Sequence, residues 1–220
     1  DQALIWREAL KKRIESETKE SEDYRDDRRR LRDSYLVRVE AFYGLALGKK
    51  EYYEDALKEL DAFEQMLDEK KDAEELLNSR IRIRMKRAEI YLEQEEDDRA
   101  EEIAMQLVDD YHLDAAYTIL LRLFARKRDA GGVIHFGQLA VKSFPKYARA
   151  YEEMALVYLC LKRGEDLEAV LEDARNAEVK SVYLDAYEYQ YQHPVSEEER
   201  KSLRERLKEF EEKYKKPIVE

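Results

Sequence analysis

The residues of this chain that could do chemistry fall into a few groupings, and spacing decides what each can do. Gly44 to Lys50 reads Gly-Leu-Ala-Leu-Gly-Lys-Lys, glycines and lysines of the kind that cradle a phosphate. A phosphate loop needs a wider gap between its glycines, a Ser or Thr after the lysine to hold magnesium, and a strand ahead of it. This stretch has none of these and sits at a helix end. Gly132 to Gly137 has the glycine spacing, but Gln138 and Leu139 follow in place of the Lys and hydroxyl residue. His112, His135 and His193 stand at no metal-ligand spacing. Cys160, the single cysteine, lies in an apolar helical run, where a small thiol is expected to be buried. Glu95-Glu96-Asp97-Asp98 could collect a cation, yet it lacks the alternating Asp/Asn and glycine of a calcium loop and reads as a solvated turn ahead of a helix. Among 52 acidic residues no spacing singles out a general acid and base. No catalytic, metal or cofactor residues are expected, and the chain reads as non-enzymatic.

Bulk composition agrees. A net charge of −11 repels phosphate backbones and argues against nucleic acid as the main partner. One cysteine excludes an intramolecular disulfide and a Cys-based zinc site. No uncharged run approaches the roughly 18 to 20 residues that a membrane helix needs. Six Gly and three Pro supply too little turn chemistry for a many-stranded protein, so helices joined by short turns are expected. The chain begins at Asp1 without a methionine, from which a removed leader or a longer parent chain is expected.

The elements that must position any site follow from apolar periodicity. Ala3, Trp6, Leu10 and Ile14 form one stripe; from Glu15 to Arg30 the stripe nearly stops, so little burial is expected there; it resumes at Leu31, Tyr35, Val39, Phe42 and Ala46. Tyr53, Ala56, Leu60, Phe63 and Leu67 mark a partner helix, and the pair Asn78-Ser79 is the best boundary after it. Beyond Glu178 comes a helix with Tyr183, Tyr187 and Tyr191 at steps of four, a stripe expected to be core. Ser196 then heads Glu197-Glu198-Glu199 as a capping box for a closing helix.

Between these lies an internal repeat. Arg84, Arg87, Ala88 and Tyr91 precede Tyr117, Leu120, Leu121 and Phe124 by 33 positions, and Tyr151, Met154, Ala155 and Tyr158 follow by 34. Each unit turns at Glu95–Asp98 or Arg128–Gly131, with Pro145 after the second and Gly164 and Ala169 in the third. The pattern Tyr117, Leu120-Leu121, Phe124, Val133, Ala140, Pro145, then Tyr151, Met154-Ala155, Tyr158, Ala169 resembles the tetratricopeptide repeat over about half the chain. Arg84 departs from it where the family has an aromatic, and Leu121 where it has a small residue.

The resemblance implies an all-α fold, a right-handed α-α superhelix of helical hairpins with a C-terminal capping helix. A charged N-terminal helix would occupy 1–34, a divergent first hairpin 35–78, three repeats 79–178, and the tyrosine-rich and capping helices 179–220. By the same resemblance, Arg82, Met85, Glu89, Thr118, Arg122, Arg126, Arg149 and Glu152 should line the concave side, with Arg122, Arg126 and Arg149 as a basic patch for an acidic peptide or a C-terminal carboxylate. The competing reading is that these arginines pair with neighbouring acids on solvated helix faces. Chaperone tail recognition is disfavoured, since Met85, Glu89 and Ile119 do not supply the Lys and Asn of a carboxylate clamp. Trp6, the only tryptophan, could anchor a partner or pack on the first repeat. The expected function is an adaptor or scaffold that binds a protein or peptide. The alternatives are a self-associating structural subunit and the non-catalytic part of a longer enzyme.

Overall fold

The computed structural model describes residues 2–16, 22–67 and 73–194, together with Ser196, Glu198, Lys201 and Glu205. Among these there are ten helices and no strand. They are α1 (Gln2–Ser16), α2 (Glu22–Ala46), α3 (Tyr52–Met66), α4 (Ala73–Glu93), α5 (Asp97–Tyr111), α6 (Asp114–Arg126), α7 (Ala130–Ser143), α8 (Ala148–Cys160), α9 (Gly164–Asn176) and α10 (Val182–Gln192). The architecture is all-α and repeat-like, with α1 to α6 in one unit and α7 to α10 in a second, and within each unit every helix packs on its neighbours in sequence.

The repeat is written in the backbone as well as in the side chains. Glu95, Arg128 and Lys162 all have left-handed φ values, 64°, 55° and 58°. Each turn is closed by the same bond, the next residue's N–H donating to a carbonyl five positions back: Glu96 to Tyr91, Asp129 to Phe124 and Arg163 to Tyr158, all 2.9 Å. These carbonyls belong to the aromatic residues that define the repeat. A second left-handed residue ends α5 at His112 and another follows α9 at Glu178. The matching place after α7 holds Pro145, which cannot take positive φ and stops the helix by lacking an N–H.

In the first unit, the core between α2, α3 and α4 is built from Tyr35, Val39, Ala56, Leu60, Phe63, Ile83 and Ile90, with Tyr35 and Phe63 stacked at 5.4 Å. From α4 to α6 small and large residues alternate. Ala88, Ala100, Ala104 and Ala116 are fully buried beside Leu92, Leu107, Leu120 and Leu121. The absence of bulk at the alanines lets the helices close to interlocking distance. Arg84 and Arg87, which break the apolar repeat pattern, tie α4 to its neighbours: Arg87 to Asp61 (2.5 Å) and Glu64 (2.7 Å) on α3, Arg84 to Gln106 (2.6 Å) on α5.

The second unit packs α8 against α7, α9 and α10. Here Tyr151, Met154, Ala155, Tyr158, Leu167, Leu171 and Leu184 form the core. Gly137 lets Met154 approach α7 closely, since a Cβ there would stand 2.5 Å from its Cγ. Ser181 caps α10 by accepting from the amides of Tyr183 and Leu184.

Several expectations are corrected. Asn78-Ser79 marks no boundary: both lie inside α4, and Ser79 is buried. The buried stripe of α1 is rotated from the expected one, because Arg7 and Leu10 face inward while Trp6 is 49% exposed. The charged stretch before Leu31 does bury a residue, Asp27, whose carboxylate meets Arg13 at 2.8 Å and Arg30 at 3.6 Å. Cys160 is exposed, since it ends α8 off the face that Tyr151, Ala155 and Tyr158 share. On α10 Leu184 is the buried residue, whereas Tyr183 and Tyr191 are exposed and Tyr187 is partly covered. Tyr191 lies beside Gly164 at the start of α9. The closing helix after Ser196 lies outside the described residues apart from Glu198, Lys201 and Glu205.

Candidate partner-binding face

Helices α2, α4 and α6 of the first unit send charged side chains to a common partly exposed face, and α4 touches α6 directly. At its centre Lys86 of α4 bridges Glu40 of α2 (2.9 Å) and Glu89 of its own helix (2.5 Å), with its ammonium 4.9 Å above the Tyr43 ring. Burial alone would lower the Lys86 pKa, but the hydrogen bonds to Glu89 and Glu40 outweigh it and the value is raised, so the ammonium is held charged. Tyr43 titrates above its ordinary range. Burial is the largest cause, Glu93 and Glu89 add to it, and Lys86 and Arg122 partly oppose it. Its hydroxyl therefore stays protonated and available as a donor.

Arg122 of α6 reaches Glu93 of α4 at 2.5 Å. Arg126, one turn on, pairs with Asp97 and donates to the Leu92 carbonyl at the end of α4. Both arginines thus tie α6 to the α4–α5 turn. Arg82 is exposed near the middle of α4 and, among the described residues, forms no ion pair. Met85, Glu89 and Thr118 are half-buried.

Of the remaining predicted residues, Arg149 and Glu152 belong to the second unit. Arg149 pairs within α8 with Glu153 at 2.5 Å, and Glu152 accepts a hydrogen bond from the Ser181 hydroxyl at 2.6 Å. Tyr187 of α10 sits in this group, its pKa raised by burial first and then by Glu153 and Glu152. Each unit therefore carries a tyrosine hydroxyl among ion-paired acids. Trp6 stands apart on α1, about half exposed.

The resemblance to the repeat family pointed to Glu89, Arg122 and Arg126 but missed Glu40, Tyr43, Lys86 and Glu93. The available signal was the spacing of Lys86, Glu89 and Glu93 on one helical stripe, matched by Glu40 and Tyr43 at a step of three. Chemically the face offers paired charges, a protonated phenol and, among the described residues, no nucleophile held against a base; it can exchange ion pairs and hydrogen bonds with a ligand. Comparison with protein-family models, with curated proteins and with solved structures found no match.

Proposed function

We propose that this chain is a non-enzymatic adaptor of the tetratricopeptide-repeat kind, holding an acidic protein or peptide segment against the α2–α4–α6 face. The observation that carries the reading is the sorting of side chains on these helices. Their apolar residues go to the helical core, while Glu40, Lys86, Glu89, Glu93, Arg122 and Arg126 stay on the partly exposed side in pairs, all of which except Lys86–Glu89 bridge separate helices. Pairs of this exposure contribute little to stability, about 0 to 1 kcal/mol each, so an incoming carboxylate can replace Glu93 or Asp97 at little cost. Arg82 supplies a cation with no internal competitor among the described residues. Trp6 would serve a partner that reaches α1.

The test is selection from a random peptide library followed by fluorescence anisotropy. Wild type is expected to enrich sequences rich in Asp and Glu, and Arg122→Glu/Arg126→Glu to lose them while keeping its helical circular dichroism. No enrichment by wild type, or equal binding by the folded double variant, would overturn the reading.

A further inference from the structure

Two carboxylates of the first unit are held by arginines from other helices, and they differ in what can reach them. Glu59 of α3 lies between Arg7 of α1 and Arg38 of α2, the latter at 3.1 Å, and is 7% exposed. It is enclosed by its own chain. Glu93 of α4 meets Arg122 of α6 at 2.5 Å, with 26% of its own side chain and 41% of the arginine's exposed. A ligand can reach this pair from solvent.

Glu93 also stands where a carboxylate is disfavoured. It is the last residue of α4, whose final turn carries no basic residue, and the carbonyl end of a helix repels an anion. Glu89, four positions back on the same stripe, repels it as well, and the acids Glu95 to Asp98 follow. What holds it is the set of groups around it. Arg122 supplies a guanidinium, while the phenols of Tyr43 on α2 and Tyr53 on α3, their rings 6.1 Å apart, both feel the Glu93 charge. Burial is the main reason that both phenols stay protonated to high pH, and the nearby carboxylate adds to it. Three helices thus bring a cation and two protonated phenols around one carboxylate, the groups from which a carboxylate receptor is built.

Asp97 shows the opposite balance. It pairs with Arg126, but it lies in the first turn of α5, where the helix dipole favours an acid, and Arg126 is tied in addition to the Leu92 carbonyl. The dipole stabilises Asp97 in place and destabilises Glu93.

We propose that Glu93 is an internal competitor for the ligand: in the free protein it fills the seat on Arg122 that a carboxylate of the partner takes, and it swings out to solvent when the partner binds. Asp97 and Arg126 stay paired throughout. This competition presupposes the adaptor reading and adds regulation to it, because the chain's own carboxylate holds affinity down and admits only ligands that bring another to the same seat.

The test is fluorescence anisotropy with a fluorescein-labelled hexaglutamate peptide. Glu93→Ala is expected to bind it about two- to fivefold more tightly than wild type, the range that an exposed pair of this kind is worth. Adding Arg122→Gln to Glu93→Ala is expected to abolish the gain. Asp109→Ala, which removes the same charge from an exposed position on α5, is expected to bind as wild type does. If wild type binds and Arg122→Glu/Arg126→Glu does not, but Glu93→Ala is no tighter, the competitor is overturned and the adaptor reading stands. A gain that survives Arg122→Gln, or that Asp109→Ala matches, overturns the competitor too. No binding by either wild type or Glu93→Ala overturns the adaptor reading itself.

Discussion

The two ends of the first unit are held together by different chemistry. From α4 to α6 the contacts are alanines interlocked with leucines, all fully buried, and their stability comes from apolar area removed from water. At α1 to α3 the contacts include Arg7, Asp27 and Glu59, charged residues buried almost as completely. Desolvation offsets most of what such pairs gain, so they add little net stability, but removing one partner strands the other. The first arrangement is sensitive to volume and the second to pairing. The junction at α1 is thus selective about what docks without holding it strongly.

The sharpest way to break the comparison is Glu59→Ala, which leaves Arg7 and Arg38 facing each other without their shared carboxylate. A loss of about 3 to 5 kcal/mol is expected in urea unfolding. Arg7→Met/Arg38→Met/Glu59→Leu, which removes all three charges, is expected to unfold at the wild-type urea concentration or above. A triple variant as weak as Glu59→Ala would mean that the charged cluster itself stabilises the fold. Next in size, Ala104→Leu adds volume where α5 admits none and should cost about 1 to 3 kcal/mol, whereas the same change at exposed Ala41 should be silent.

The turns offer a smaller effect of opposite sign. A non-glycine residue at left-handed φ costs roughly 1 to 2 kcal/mol, and glycine returns part of that in chain entropy, so Arg128→Gly should stabilise by about 0.5 to 1 kcal/mol. The smallest effect is on pH dependence. The Lys86 pKa is raised on folding, so its contribution is complete below the ordinary value of 10.5 and fades as pH rises through the higher folded value. Tyr43, also raised, acts with the same sign. Lys86→Met should therefore flatten the alkaline fall in melting temperature above about pH 10, read by circular dichroism.

Much of the repeat was legible because it rests on local periodicity. The residues at steps of 33 and 34 proved to be the ones whose carbonyls close each turn, Tyr91, Phe124 and Tyr158. What stayed hidden depends on pairing across helices. Glu59 sits in an apolar stripe with Ala56, Leu60 and Phe63, where the pattern alone reads an acid as a boundary residue; only Arg7 and Arg38, 52 and 21 positions away, make it tolerable. Likewise Asp27 looked solvated because its own segment is charged, and its partner Arg13 stands on another helix. The candidate face was half legible for the same reason. Arg122 and Arg126 stood out by type, but their pairing with Glu93 and Asp97 required α4 and α6 to be side by side.

The recurrence of one backbone conformation at Glu95, Arg128 and Lys162 has a consequence for the length of the chain. Each lies in the left-handed region, and each is followed by an N–H that donates to a carbonyl five positions back. Joining Glu95 directly to Asp129 would remove one whole period without altering the local geometry on either side of the junction, and duplicating that segment would add one. Gain or loss of a period is therefore an inexpensive change for this sequence, one that varies the number of presented helices while the rule for joining them stays the same.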